Sequence, residues 1–212
     1  MDATVAVTAV RDVGPGTIAI EFEAPAALDA EPGQFLKLEG TVDGEEYARF
    51  YTLSSPDVDE TFEITVGIDP AEAGPFSEFL LALDPGDTLD VSGPFGRSFY
   101  EGESRVVVLA GGPGVGPAVG IGEAAIRDGN AVAIVYRADA PAHEERLNAL
   151  RDAGASVAVT DGEVTDHVAA AVTGDDDEQV FVYGFAEFVD HATAALEAAS
   201  ADADAAKVEN FG

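Results

Sequence analysis

The hydrophobic pattern of this 212-residue chain changes its period near Glu101, and that change constrains the fold more than any other feature. Before Glu101, six short segments alternate apolar and polar residues between Gly, Pro and Asp turn signals, which is the pattern of half-buried strands. They read "ATVAVTAVRDV", "GTIAIEFEAP", "QFLKLEG", "EYARFYTLSS", "TFEITVGID" and "DTLDVSGPFG". Short strands with this spacing predict a small antiparallel six-stranded β-barrel. The segment "GPFSEFLLAL" has apolar residues at helical spacing and predicts one helix among the strands.

After Glu101, continuous apolar strands alternate with helices. "SRVVVLAGG" is typical of a strand buried on both faces of a parallel sheet. The strands "AVAIVYRA", "SVAVTD" and "QVFVYG" follow, and each of the four is succeeded by a helical segment, which predicts a doubly wound parallel α/β domain. We therefore predict two closely packed domains, residues 1–101 and 102–212, with the functional site at their seam and at the carboxyl ends of the parallel strands.

The net charge of the chain limits the classes of molecule that it can bind. Asp and Glu number 41 against 10 Lys and Arg, a net charge of −31, so nucleic-acid binding through a basic surface is excluded. Such acidity is typical of a protein from a salt-loving organism, since salt screens self-repulsion, but acid-rich docking surfaces would give the same composition. The chain has no apolar run of membrane-spanning length and no secretory pattern, which predicts a cytoplasmic protein without membrane association. With no Cys and three His, we expect no metal site.

Two stretches carry candidate chemistry. "ARFYTLSSP", residues 48–56, places the rare cation Arg49 beside Tyr51 and Thr52, a combination that suits an anionic cofactor with a flat ring. "LAGGPGVGP", residues 109–117, puts glycines between a buried strand and a helix, where the backbone can approach a phosphate. The second stretch lacks the third glycine of G-x-G-x-x-G and the Lys of a P-loop. By itself it fits a tight strand-to-helix turn equally well.

Six stretches together resemble the ferredoxin–NADP reductase family of flavoproteins, in order and in approximate spacing. They are "EPGQF", "RFYTLSS", "GPFSEFL", "SGPFG", "LAGGPGVGP" and the terminal "VENFG". The resemblance covers essentially the whole chain. It implies that the barrel binds FAD, that the α/β domain binds NAD(P)H, and that hydride passes between the two cofactors.

The resemblance also assigns roles in FAD binding. Arg49 would pair with the pyrophosphate, Tyr51 would pack on the isoalloxazine face, and Thr52 would lie beside flavin N5, which makes Tyr51 and Thr52 the catalytic candidates. Ser77 would cap the "GPFSEFL" helix and help its N–H groups to hold the pyrophosphate. The remaining FAD candidates are Leu53, Ser55, Gly67, Ile68 and Gly74.

The nicotinamide half follows the family pattern less closely. Its candidates are Gly111, Gly112, Gly114, Gly116, Tyr183 and Gly184. Pro113 replaces the usual Thr of the glycine loop, and Tyr183 replaces a Cys that lies near the nicotinamide in relatives. Phe211 would cover the second face of the flavin or pack as an ordinary helix-contacting residue.

The choice between NAD and NADP stays open. Arg137 suits a 2′-phosphate, whereas Asp139 suits a free ribose 2′-hydroxyl, and Asp161 stands where NADP-using relatives carry Ser-Arg. We expect His143, His167 and His191 to be surface or packing residues far from these motifs.

The resemblance implies a cytoplasmic FAD-dependent NAD(P)H oxidoreductase that passes electrons to a ferredoxin or another acceptor. A flavin reductase and an electron-transfer subunit of a multicomponent oxygenase remain alternatives. A further alternative is a nucleotide-binding module that has lost hydride transfer through Pro113 and Tyr183.

Overall fold

The structure is a computed structural model that describes residues 1–67 and 74–212. Ile68, which was predicted to bind FAD, lies outside the described residues. Six strands and one helix form the first half of the chain: β1 Asp2–Gly14, β2 Thr17–Glu23, β3 Phe35–Val42, β4 Glu45–Thr52, β5 Thr61–Gly67, α1 Pro75–Leu81 and β6 Thr88–Phe95. The second half contains β7 Arg105–Gly111, α2 Val115–Arg127, β8 Ala131–Arg137, α3 Glu144–Asp152, β9 Ser156–Thr160, α4 Thr165–Ala171, β10 Glu178–Gly184, α5 Ala186–Ala198 and β11 Lys207–Asn210.

The first six strands form an antiparallel sheet in the order β4-β3-β6-β1-β2-β5, which confirms the predicted barrel. Its two edge strands approach each other where Leu53 bridges to Ile64. The apolar residues of each strand alternate inward, so Phe22 and Phe62 stack in the core with ring centroids 5.1 Å apart. Helix α1 covers one end of this core with Phe76 and Leu80, both buried.

The other five strands form a parallel sheet in the order β11-β10-β7-β8-β9. Helices α2 and α3 pack on one face of this sheet, and α4 and α5 pack on the other, which confirms the doubly wound α/β fold. Strand β11 was not predicted because "KVEN" is short and mostly polar. It is held in part by Lys207, whose Nζ lies 2.8 Å from Glu101 and 2.6 Å from Glu103. The predicted boundary after Glu101 falls between β6 and β7.

The two domains meet along the outward face of β5. Successive outward residues of this strand contact different parts of the α/β domain, because alternate side chains of a strand share a face. Glu63 pairs with Arg146 of α3 at 2.9 Å, and the next outward residue, Thr65, lies beneath the start of α2. Gly67 lies against Pro113, whose ring atoms would be 3.3 Å from a Cβ at that glycine.

A cluster of charges closes the seam away from the glycine loop. Glu63 also accepts from Arg11 at 2.6 Å, and Arg146 additionally donates to Glu123 at 2.7 Å and to the Ser54 carbonyl at 2.7 Å. In the part of the chain that the structure describes, no helix is long and apolar enough to cross a membrane.

Candidate functional site

A cleft of about 280 Å³ opens at the seam between the barrel and the α/β domain. On the α/β side it lies at the carboxyl ends of β7 and β10, where the strand order reverses and where open α/β sheets bind their ligands. Its lining comes from both domains: Arg49, Phe50, Tyr51, Thr52, Thr65, Val66, Gly67, Ser77, Pro113, Pro117, Phe185 and Phe211. The two regions singled out in the sequence therefore meet at one place.

The register of β4 places Arg49 and Tyr51 on the inner face of the barrel sheet. Arg49 is opposite Leu38 and Tyr51 is opposite Leu36, and both leucines are fully buried in the core. Directly opposed residues of an antiparallel pair share a face. Because β4 is an edge strand, the inner face is open beside it, and the two side chains line the cleft.

Arg49 carries an exposed guanidinium at the cleft. Its Nη1 donates to the carbonyl of Ala48 at 2.8 Å, and within residues 1–67 and 74–212 it makes no ion pair with a carboxylate. In a chain with 41 Asp and Glu, a guanidinium at a cleft that is unpaired among the described residues is a ready site for an anion.

Tyr51 and Thr52 complete the strand end. Burial raises the pKa of Tyr51 to about 12, against a small opposing effect of Arg49, so the phenol stays neutral and presents an aromatic face. Thr52 is buried and is one of the residues that line the cleft. Phe50 also lines the cleft, and it packs edge-on against Phe35 with centroids 5.4 Å apart.

Several of the predicted FAD-binding residues lie beside the cleft, where they make contacts within the barrel domain. Leu53 is in the barrel core, and Ser55 Oγ accepts from the Glu63 amide at 2.6 Å. The predicted capping role of Ser77 is wrong, because α1 begins one residue after Gly74, which is the N-cap. Ser77 is in the first turn and its position lines the cleft.

The glycines of residues 111–116 serve two different purposes. A Cβ at Gly111 would overlap the ring of Phe188, one at Gly114 would overlap the carbonyl of Tyr183, and one at Gly116 would lie 2.6 Å from Thr65 Oγ1. These three positions need glycine for close packing of neighbouring elements. Gly112 differs, because it is exposed, has φ +54°, and has open space among the described residues where a Cβ would be. Among the glycines of this loop, Gly112 is therefore the one whose backbone is exposed among the described residues.

The structure places Tyr183 under the seam and not in the cleft. Its ring is fully buried against Phe181, and its hydroxyl donates to the Ser98 carbonyl in the connection between the two domains. Burial raises its pKa well above the usual value. The next two residues, Gly184 and Phe185, lead to the cleft, where Phe185 meets Phe211 edge-on at 5.9 Å.

Arg137 lies at the carboxyl end of β8, away from the residues that line the cleft. Its Nη1 is 2.9 Å from His191 Nδ1 on α5. Since a guanidinium can only donate, the Nδ1 atom of His191 accepts this hydrogen bond. Asp139 and Asp161 are exposed in the loops that follow β8 and β9.

Sequence reasoning missed Thr65, Phe185 and His143. His143 was expected to be a surface or packing residue far from the motifs. It is instead buried at the seam, with Nε2 2.8 Å from Thr65 Oγ1, which in turn is 2.9 Å from Ser54 Oγ. Burial lowers the pKa of His143 to about 3, and the charges of Arg146 and Arg11 act in the same direction. Nothing in the local sequence marks this contact, because it joins residues 78 positions apart.

Comparison with known proteins agrees with this geometry. Residues 4–100 match the family described as oxidoreductase FAD-binding domain. Over 103 residues the chain is 40% identical to a Methanopyrus kandleri protein named probable dihydroorotate dehydrogenase B (NAD(+)), electron transfer subunit. That alignment covers 49% of this chain and 36% of the relative. Over 119 residues it is 35% identical to NADH-cytochrome b5 reductase 1 of Eremothecium gossypii, which covers 54% of this chain and 42% of that protein. The chain thus spans less than half the length of these curated relatives.

A solved structure shares the complete architecture. The FAD/NAD-binding domain of nitric oxide dioxygenase from Vibrio cholerae superposes with a TM-score of 0.82 over 99% of this chain and 98% of that one, at 20% identity. At this identity the likeness establishes the two-domain fold alone.

Proposed function

We propose that the chain is an FAD-dependent NAD(P)H oxidoreductase that passes electrons to a ferredoxin-like or other acceptor, because residues 4–100 match the family described as oxidoreductase FAD-binding domain. The observation that carries this proposal is the cleft built by both domains, with Arg49 and Tyr51 side by side on its barrel wall. When bound there, FAD supplies a ring that takes hydride from nicotinamide C4 at its N5 atom and releases electrons one at a time. The protein's contribution is to bind and orient the two cofactors.

The barrel residues suit FAD in charge and shape. The unpaired guanidinium of Arg49 would bind the pyrophosphate, and the neutral, half-buried ring of Tyr51 would pack against the isoalloxazine. Thr52, one residue further along β4, would offer its hydroxyl beside the reacting edge of the ring. The spacing of Arg49 and Tyr51 on one strand face gives an extended cofactor two anchors of different chemistry.

The α/β domain would bring the nicotinamide to the same cleft. Gly112 presents its backbone at the strand-order reversal, and Pro113 and Pro117 form an apolar wall next to it. Pro113 cannot donate a backbone hydrogen bond, so nucleotide affinity here would depend on shape and on Gly112. We leave NAD and NADP as alternatives, since Arg137 and Asp139 favour opposite answers.

The acceptor is proposed from the relatives and from the charge of the chain. The Methanopyrus kandleri relative carries the name of an electron transfer subunit, which favours a partner subunit or carrier over a free flavin product. We further propose that the protein works in high salt, because a net charge of −31 is tolerated best when screening is strong.

Anaerobic mixing with each nicotinamide tests the enzyme. The purified protein is expected to be yellow in molar KCl and to lose its flavin absorption on addition of NADH, NADPH or both. A colourless protein, or a flavin that dithionite alone reduces, contradicts the proposal and favours the nucleotide-binding module.

A variant of Arg49 tests the FAD site independently of turnover. Loss of a charge-assisted contact costs about 1.5–3 kcal/mol, so Arg49→Gln should bind FAD roughly 10- to 150-fold more weakly. Arg151→Gln removes another exposed guanidinium, which lies on α3 and bonds to Asn148 at 2.7 Å, and should keep full occupancy. Equal FAD affinity in the two variants would exclude the assigned role of Arg49.

A further inference from the structure

The reaction proposed above leaves one proton in the cleft. Oxidation of NAD(P)H to NAD(P)⁺ yields two electrons and one proton, and hydride transfer carries all three to the same place. When the electrons then leave to a one-electron acceptor, the proton must leave the cleft as well. This inference rests on the proposed function.

The residues that line the described part of the cleft include no group suited to take that proton. No Asp, Glu or His is found among its lining residues in the part of the chain that the structure describes. Arg49 is always protonated, and the raised pKa of Tyr51, about 12, keeps its phenol neutral. What remains is a set of hydroxyl groups, which can pass a proton only if a titratable group stands behind them.

Thr65 is the lining hydroxyl that has such a group behind it. Its Oγ1 lies 2.8 Å from Nε2 of His143, and the same atom is 2.9 Å from Ser54 Oγ. His143 is held rigidly, since its amide donates to the Val13 carbonyl at 2.8 Å and its backbone has φ +54° at the start of α3. The ring nitrogen is thus fixed against the back of the cleft wall.

The second ring nitrogen of His143 faces the opposite way. Nδ1 has no hydrogen-bond partner among the described residues, and His143 as a whole keeps 5% of its surface exposed. The charged groups around the ring are Arg11 of β1 and Arg146 of α3, and both pair with Glu63 of β5. The imidazole therefore lies between Thr65, which lines the cleft, and the charged cluster of Arg11, Arg146 and Glu63.

We propose that Thr65 and His143 form the route by which this proton leaves the cleft. Thr65 takes the proton from the cleft and passes its own to Nε2, while the ring releases the Nδ1 proton to solvent. One O–H bond and one N–H bond form as one of each breaks, and the ring ends in its other neutral tautomer. An imidazole serves this purpose because its two nitrogens can accept and release in turn. The surrounding positive charges disfavour a trapped imidazolium, which suits a group that passes protons on.

Separate measurement of hydride arrival and proton departure tests the route. The holoprotein is first reduced anaerobically by the nicotinamide, and the loss of flavin absorption gives the hydride step. Ferricyanide, which takes electrons without protons, is then added in weakly buffered KCl with a pH indicator. In His143→Gln, proton release and reoxidation should slow by about 10²-fold, the lower range for a lost acid–base group, while the hydride step changes by no more than about twofold. The proposal would be overturned if His143→Gln slowed the hydride step as much as proton release, or if it released the proton as fast as the wild type.

Variants of Thr65 separate a relay from a packing role. Thr65→Ser keeps the hydroxyl and should behave as the wild type, whereas Thr65→Val removes it at nearly constant volume and should match His143→Gln. His167→Gln, on α4, is the histidine control. If Thr65→Ser and Thr65→Val release the proton equally fast, the route does not exist. If neither nicotinamide reduces the wild-type flavin, the proposed function itself is refuted.

A measurement on the FAD-free protein supplies an independent readout. A relay requires that both tautomers of His143 are populated and exchange through solvent. The two imidazole ¹⁵N resonances at neutral pH should then be averaged towards each other. Two widely separated resonances of a single fixed tautomer would contradict the relay.

Discussion

The seam between the domains depends on a glycine whose replacement has a calculable cost. Gly120 lies in the middle of α2, and a Cβ there would be 2.9 Å from both the Ser54 and the Ser55 carbonyl oxygens of the barrel. Those atoms belong to the backbone and cannot rotate away. Gly122 of the same helix offers a matched control, because its Cβ would meet only the methyl ends of Leu150 at 3.2 Å and Ile134 at 3.3 Å.

The difference between the two alanine variants isolates the contact. Both replacements gain about 1 kcal/mol of helix propensity, which cancels in the comparison. Overpacking against an immobile neighbour costs about 1–3 kcal/mol, whereas a methyl contact with movable side-chain ends costs little. Gly120→Ala should therefore be less stable than Gly122→Ala by about 1–3 kcal/mol.

Urea unfolding in molar KCl, followed by far-ultraviolet circular dichroism, measures the difference as a shift in midpoint at constant slope. FAD titration of the same samples shows whether strain at the seam also weakens cofactor binding in the cleft. Gly120→Ala should bind FAD more weakly than Gly122→Ala. Equal midpoints for the two variants would refute the view that α2 packs directly on the barrel backbone.

Three further perturbations test other parts of the structure. The pKa of an unfolded histidine is about 6.5 and that of folded His143 is about 3, so the free energy of unfolding should fall as the pH drops below about 6.5 and should be lower by about 2 kcal/mol at pH 5. His143→Gln should lack this loss when denaturation curves of the two proteins are compared across pH. Identical pH profiles for the two proteins would contradict the prediction. Tyr183→Phe removes the donor to the Ser98 carbonyl and should lower stability by about 1–3 kcal/mol in thermal unfolding, with no change counting against that bond. Electron transfer to an acidic carrier should accelerate with added KCl in stopped-flow measurements, because the chain carries a charge of −31; a steady slowing at constant folded fraction would argue the opposite.

The interpretation of the glycine loop shows where sequence reasoning stopped. Glycines before a helix were read as a phosphate-binding turn or as tight packing, and local sequence does not separate the two. The structure divides them, since Gly114 and Gly116 face the Tyr183 carbonyl and the Thr65 hydroxyl while Gly112 faces open space. The packing interpretation is confirmed at Gly114 and Gly116, and phosphate binding at Gly112 stays a prediction.

The sequence by itself determined the two folding units, the strand that carries Arg49 and Tyr51, and the strand-to-helix turn opposite it. These features follow from periods of two and of about 3.6 residues and from local turn chemistry, which neighbouring residues encode. Even the shared face of Arg49 and Tyr51 follows from their spacing of two along β4.

Tertiary structure alone decided which surfaces meet. The contacts of Gly67 with Pro113 and of Thr65 with His143, and the burial of Tyr183, join residues far apart in the chain. Such contacts depend on the relative placement of two sheets, and no local pattern of hydrophobicity encodes that placement. For that reason a histidine outside every motif comes to lie behind the wall of the cleft.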